Sequence, residues 1–330
     1  MPPPDGRALS GGENDASPPR DVGRALSDVA VRASPHDVVV VGGGAAGLSA
    51  ALVLGGARRR VAVIDAGAPR NAPAAHMHGF LSRDGLPPTA LLAAGRAEVK
   101  DYGVDLIEDR VVGIEPGFGV RLAGGQTLET RRILIATGAR DELPEVPGVR
   151  ERWGRDLLHC PYCHGWEVRD QPIGILGTNG GAVQHALLVR QWSDDVVFFV
   201  HTLDLGADEL GRLEARRIQV VNGAVARLVV EDDRLAGVEL VDGRIVPRTA
   251  VFIRPVNVPH PDGLLAGLGC DLDAAGFAVV DATGRTSTAG VWAAGNVVDP
   301  RLQVISSAGA GSVAAIAINA DLVADDTESA

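Results

Sequence analysis

Val38-Val39-Val40-Val41-Gly42-Gly43-Gly44-Ala45-Ala46-Gly47 is the stretch on which the fold turns. Four β-branched residues in succession are too uniformly apolar for a half-exposed strand and suit a buried parallel one. The helical run Leu48-Ser49-Ala50-Ala51-Leu52-Val53-Leu54 follows the glycines, and a second strand, Arg60-Val61-Ala62-Val63-Ile64, ends in Asp65. Strand, glycine turn, helix, strand and terminal acid together make the dinucleotide-binding fingerprint. Gly42 makes the tight turn, Gly44 lets backbone approach a pyrophosphate, and Gly47 permits close packing of helix on strand. Asp65 stands where a carboxylate accepts hydrogen bonds from an adenosine ribose. On these residues alone the nucleotide is NAD or FAD.

Further along, Arg70-Asn71 and the polar loop His76 to Gly85 precede a helix expected over Pro88 to Asp101. Histidines in such a loop read locally as surface residues. Strands are expected at Val104 to Ile107 and Arg110 to Ile114, and Arg132-Ile133-Leu134-Ile135-Ala136-Thr137-Gly138-Ala139 closes the segment. Near the middle of the chain comes His159-Cys160-Pro161-Tyr162-Cys163-His164-Gly165. A proline after the first cysteine suits the opening turn of a helix, whose free N–H groups favour a thiolate, so the pair can cycle between dithiol and disulfide. A zinc half-site would need two more soft ligands, and only Cys270 remains elsewhere, so His159, His164 or another distant His would have to complete it. A purely structural disulfide fits poorly in a chain of three cysteines without an export signal. Redox chemistry ranks first, and no metal is assigned.

The 330 residues are 46% hydrophobic and 22% charged, enough for two domains with buried cores. A net charge of −11 argues against nucleic acid or an anionic membrane surface as partner. No apolar run is read as a membrane span, and the N-terminus shows no signal-peptide core, so the expected location is cytoplasmic. Residues 1–36 read as a disordered tail broken by Pro2-Pro3-Pro4, Gly11-Gly12 and Pro18-Pro19. The Gly-Arg-Ala-Leu-Ser at 6–10 recurs at 23–27, a duplication that biased composition accounts for.

Four stretches carry a resemblance: Gly42 to Gly47, Ile135 to Ala139, Cys160 to Cys163, and Gly290-Val291-Trp292-Ala293-Ala294-Gly295-Asn296-Val297. In this order and spacing the chain resembles the thioredoxin reductase family of flavin-dependent pyridine nucleotide-disulfide oxidoreductases. The resemblance implies an α/β fold of two Rossmann-like, three-layer ββα domains and a homodimer. The FAD-binding domain would be discontinuous, 37–146 plus 251–330, with Val251-Phe252-Ile253 re-entering it. A smaller NAD(P)-binding-like domain, 147–250, would be inserted with the cysteine pair. FAD would be held by Gly42, Gly44, Ala46, Gly47, Asp65, Asn71, His78, Thr137, Gly138, Gly295, Asn296, Gln303 and Val304. An Ala/Gly-rich helix from Gln303 to about Val323 would aim its positive end at the flavin ring.

The sequence departs from the family in four places. Asn179, in Gly177-Thr178-Asn179-Gly180-Gly181-Ala182, replaces a glycine of the expected NADPH loop, where a side chain crowds a pyrophosphate. No Arg follows His201 until Arg212, although reductases of the family clamp the 2′-phosphate there with a His-Arg-Arg cluster. An active NAD(P) site and a fold kept as scaffold are equally supported, which leaves NADPH an open question beside FAD. Asn296 stands where the family carries Asp, and His164 follows the second cysteine in place of Asp. Cys-Pro-Tyr-Cys-His-Gly resembles the branch that oxidises dithiols, such as those of gliotoxin- and holomycin-like products, with oxygen as acceptor. In that reading a substrate thiolate attacks Cys160, Cys163 leaves and passes electrons to FAD, and His164 moves protons. The partner is a small-molecule dithiol or a thioredoxin-like protein. An NADPH-dependent thioredoxin reductase is the alternative, and a non-catalytic flavin redox sensor a third reading.

Overall fold

The computed structural model describes residues 35–329. The tail expected over 1–36 therefore lies almost wholly outside the described residues, and His36 already belongs to the first strand.

The first sheet contains β1 (His36–Val41), β2 (Val61–Asp65), β3 (Asp105–Glu108), β4 (Val111–Glu115), β5 (Gly119–Leu122) and β6 (Thr127–Ile135) in the order β3-β2-β1-β6-β5-β4. Chain order forces the crossovers over one face by α1 (Ala45–Gly56) and α2 (Pro88–Asp101). Val38, Val40 and Leu134 bury against these helices, whereas Val39, Val41, Ile133 and Ile135 face Val111, Val120 and Leu122 of the antiparallel β4-β5 layer. Being covered on both faces is why Val38 to Val41 of β1 are all apolar. Strand β6 runs longer than the sequence suggests. Its first residues pair antiparallel with β5, and its last ones parallel with β1.

The second sheet repeats the scheme. It holds β8 (Leu157–Leu158), β9 (Ile173–Leu176), β10 (Val196–Phe199), β11 (Gln219–Val221) and β15 (Ala250–Ile253), all parallel, in the order β11-β10-β9-β15-β8. One face packs on α5 (Ala182–Val189) and α6 (Ala207–Ala215), the other on the antiparallel sheet of β12 (Val225–Glu231), β13 (Arg234–Leu240) and β14 (Ile245–Pro247). The short turns α3 (Val149–Arg152) and α4 (Pro161–His164) lie before β9. One expectation is corrected here: Val251-Phe252-Ile253 does not re-enter the first lobe, because β15 pairs with β9 and β8. The chain crosses between lobes in a two-stranded ribbon, β7 (Ala139–Glu142) against β16 (Val256–Pro259). Arg70 grips Asp141 of that ribbon with two hydrogen bonds, of 2.6 and 2.8 Å, and Asn257 gives Asp141 a third.

After α7 (Leu264–Gly267) the chain adds β17 (Val291–Ala293) beside β6, a shorter strand than the expected Gly290 to Val297, whose end is a 3-10 turn. The final helix, α8 (Val304–Glu328), is long and apolar enough to cross a membrane by length and composition, contrary to the reading that no run is. It packs along α1, where a Cβ on Gly311 would sit 2.0 Å from the Ala46 carbonyl oxygen. Its far end is clamped by arginines: Arg59 and Arg131 on Asp326, and Arg132 and Arg285 on Asp321. Burial pushes the Asp321 carboxyl up, but the two guanidinium groups outweigh it and hold it below the usual range.

Replacing Gly311 with Leu should force α8 off α1 and destabilise the protein by about 3 kcal/mol, read as a lowered melting temperature; an unchanged melting temperature would contradict this packing.

Candidate active site

Cys160 caps the turn α4, and Pro161 takes its first position, where no N–H is required. The N–H groups of Cys163 and His164 both return to the Cys160 carbonyl at 3.1 Å. This geometry puts the two cysteine Cα atoms 5.2 Å apart, and their sulfurs are joined. Only glycine fits at 165, since a Cβ there would meet the Pro161 carbonyl at 2.5 Å and the Trp192 ring at 2.8 Å. Tyr162 stands edge-on to Trp192, and Trp166, under the Arg169 guanidinium, is exposed like Tyr162. Among the described residues no three His, Cys, Asp or Glu side chains are placed to hold one metal ion.

The sulfur pair reaches the other lobe at the start of α8. Gln303, its N-cap, uses no side-chain atom to cap the helix and donates from Nε2 to Cys163 Sγ at 3.9 Å. Gln303 also lies beneath Gly79, whose Cβ would be 3.5 Å from the same carboxamide.

The first glycine loop has the form of a nucleotide cradle. Gly42 takes φ +110° and a Cβ on it would lie 2.3 Å from the Ala136 carbonyl, beside Thr137. A Cβ on Gly47 would lie 1.9 Å from the Gly42 carbonyl, so the helix can press onto the strand only without one. Gly44 and Gly138, by contrast, face space with no atom within 4 Å. No side chain caps α1 and no acid sits in its first turn, leaving its N–H groups to an anion. Ala46 and Gly295 meet at this same point, where a Cβ on Gly295 would approach Ala46 to 2.9 Å. Asp65 sits at the loop rim beside Gly43, its carboxylate paired with Arg96 and accepting the Gly67 N–H. Asn296 Nδ2 donates to the Asp299 and Leu302 carbonyls at 3.0 Å each, which fixes the amide's orientation and leads the chain into Gln303. An Asp there would set a carboxylate against two carbonyl oxygens. Val304 opens α8, and the Asn71 carboxamide makes no hydrogen bond among the described residues. These residues fit FAD.

His78 has another employment. Its Nε2 lies 3.0 Å from Glu167 and its Nδ1 3.0 Å from Asp84, so both ring nitrogens serve carboxylates and neither serves the cradle. Glu167 also holds His164, whose Nδ1 is 3.2 Å away. Sequence reasoning missed Glu167 and Asp84. The i,i+3 spacing of His164 and Glu167 on a helical turn is the one signal that could have found the first.

The second glycine loop is occupied in part by the chain's own side chains. Asn179 Oδ1 accepts the Gly181 N–H at 3.1 Å, taking a donor that would face a phosphate, and its Nδ2 donates to the Arg254 carbonyl at 2.6 Å. The Arg254 side chain lies so close over Gly181 that a Cβ there would be 2.1 Å from Nη1. His201 turns inward to accept the Val225 N–H at 3.0 Å, and burial pushes its pKa down.

Behind Cys160, the His159 and His185 rings stand 6.1 Å apart in the second lobe. Burial pushes both down, His185 to about 4, and its Nδ1 has no partner. A histidine depressed in the folded state contributes stability above its unfolded value of 6.5 that is lost as pH falls towards about 4. For His185 that loss is about 3 kcal/mol. Melting temperature should therefore fall between about pH 6.5 and about pH 4.5, and His185→Phe should flatten that acid limb; parallel curves for the two proteins would refute the assignment.

Comparison with known proteins bears on the family and the fold. Residues 36–312 match the family model described as pyridine nucleotide-disulphide oxidoreductase. Thioredoxin reductase sirT of Leptosphaeria maculans is 31% identical over 313 residues, covering 87% of this chain and 94% of its own. A probable thioredoxin reductase of Arthroderma benhamiae is 32% identical over 185 residues, so that match spans 53% of this chain and 46% of that protein. Among solved structures, HlmI superposes with a TM-score of 0.87 at 60% identity, over 89% of this chain and 95% of its own.

Proposed function

Because the chain belongs to the pyridine nucleotide-disulphide oxidoreductase family, we propose that it is an FAD-dependent thiol–disulfide oxidoreductase that oxidises a small-molecule dithiol through Cys160 and Cys163, with oxygen as final acceptor. The observation that carries the reading is a contrast between the two glycine loops. The first is open and lies at the end of α8 that touches Cys163. The second is filled by Asn179 and Arg254. Electrons therefore enter from a thiol and not from a reduced nicotinamide. The Cys-Pro-Tyr-Cys-His-Gly pattern and the exposed aromatic groups Tyr162 and Trp166 beside the disulfide suit a small, partly apolar substrate.

The steps at the chain's own residues balance. One substrate thiol gives its proton to His164 as its sulfur bonds to Cys160; the Cys160–Cys163 bond breaks and Cys163 leaves as thiolate. His164 hands that proton to the Cys163 thiolate; the second substrate thiol then gives its proton to His164 as its sulfur attacks the substrate sulfur of the mixed disulfide, so substrate disulfide departs, Cys160 leaves as thiolate and takes that proton, and the enzyme holds a dithiol. FAD, held by the first loop, Asn296 and the start of α8, supplies the two-electron acceptor for that dithiol. Gln303, as the donor beside Cys163, holds that sulfur at the entrance to the cradle.

Under anaerobic conditions a small dithiol should bleach the visible flavin absorbance of the holoprotein, and air should restore it with hydrogen peroxide formed; NADPH should leave it unchanged. Fast bleaching by NADPH would overturn the oxidase reading. Cys163→Ser should keep bound FAD but lose bleaching by dithiol by about a hundredfold or more, and a variant bleached at the normal rate would remove the pair from the chemistry.

A further inference from the structure

Outside the two sulfurs, the densest group of titratable side chains spans the lobes. His164 Nδ1 lies 3.2 Å from one oxygen of Glu167, whose other oxygen is 3.0 Å from His78 Nε2. His78 Nδ1 lies 3.0 Å from Asp84 Oδ2, and Asp84 Oδ1 accepts the Gly79 N–H at 2.8 Å. His76 stands 3.6 Å from the Glu167 oxygen that meets His78. His164 and Glu167 belong to α4 and the turn after it, whereas His76, His78 and Asp84 come from the loop that follows β2 in the other lobe. Base and acid alternate along the line, and each carboxylate lies between groups able to donate to it.

A carboxylate on one imidazole nitrogen fixes the tautomer and orientation of the ring and stabilises its protonated form. With Nδ1 of His164 engaged, Nε2 is the nitrogen left to take a thiol proton while the sulfur attacks Cys160 and Cys163 departs with the bonding pair. That exchange requires no further oxidant. From this arrangement we infer that Glu167 is the positioning residue of His164, and that His78, braced by Asp84, holds Glu167 in place from the opposite lobe. The inference rests on the dithiol–disulfide reading above.

Burial would push His78 down, but its hydrogen bonds to Asp84 and Glu167 and their charges outweigh it and hold it above its usual value. Gly79 and His78 together hold the Asp84 carboxyl below the usual range. The bridge between lobes is thus charge-assisted, and the ionisable groups facing it are Asp84 from its own loop, Glu167 and His164 from the other lobe, and His76.

Glu167→Gln keeps the shape of the side chain and removes its charge. The readout is the rate at which dithiothreitol opens the Cys160–Cys163 disulfide of the holoprotein, trapped by alkylation and read by mass spectrometry, between about pH 5.5 and about pH 9, which requires no turnover. Glu167→Gln should slow exchange about tenfold and move the rising limb of the profile to lower pH, and His78→Gln should fall between it and the wild type. Wild-type rate and profile in Glu167→Gln would overturn the inference, as would a uniform slowing with the limb unmoved, the mark of a merely structural role. Should Glu167→Gln not fold, His78→Gln decides by the same limb. A wild-type disulfide that dithiothreitol does not open would instead sink the dithiol reading itself, and this inference with it.

Discussion

Cys163 belongs to a turn of the second lobe and Gln303 to a helix of the first, yet 3.9 Å separates sulfur from carboxamide. Everything that makes the molecule a candidate redox catalyst depends on that approach. It sets a disulfide at the mouth of a nucleotide cradle instead of elsewhere on the surface. The chain secures it through the ribbon of β7 and β16, pinned at Asp141 by Arg70 and Asn257. The charged contact of His78 with Glu167 then ties the lobes a second time, next to the chemistry.

The two lobes share one architecture, a parallel sheet between helices and an antiparallel layer, but treat their glycine loops in opposite ways. In the first, glycine is kept wherever backbone must approach backbone or leave space, and the helix N–H groups stay open. In the second, Asn179 supplies from within the chain an acceptor for the Gly181 N–H. Satisfying a buried or half-buried donor internally costs less than leaving it unpaired, so the loop remains ordered without a ligand.

Much of this was legible because it is local. The uniform β-branched run of β1 announces burial on both faces, and the spacing Gly42, Gly44, Gly47 announces the tight approach. The helix Pro88–Asp101 falls where its proline start and apolar spacing place it. What resisted reading is non-local. An apolar run such as Ala250–Ile253 states that it is buried but not in which sheet, and its pairing with β9 is a choice made by tertiary packing. The loss of a glycine at Asn179 was plain, whereas the meeting of Arg254 with Gly181, 73 residues apart, left no trace in the sequence. The family resemblance, and no local signal, put His78 with the cofactor residues. Its true partner Glu167 lies 89 residues away.

The clamp at the distant end of α8 bears on the chemistry as well. A helix of 25 residues is about 37 Å long, and one of its tips carries Gln303 while the other is gripped by four arginines. A rod so held acts as a lever: a tilt of about 2° at the grip displaces the tip by about 1 Å, enough to spoil reacting geometry. Arginines at the far tip of α8 thus bear on the aim of the sulfur's neighbour.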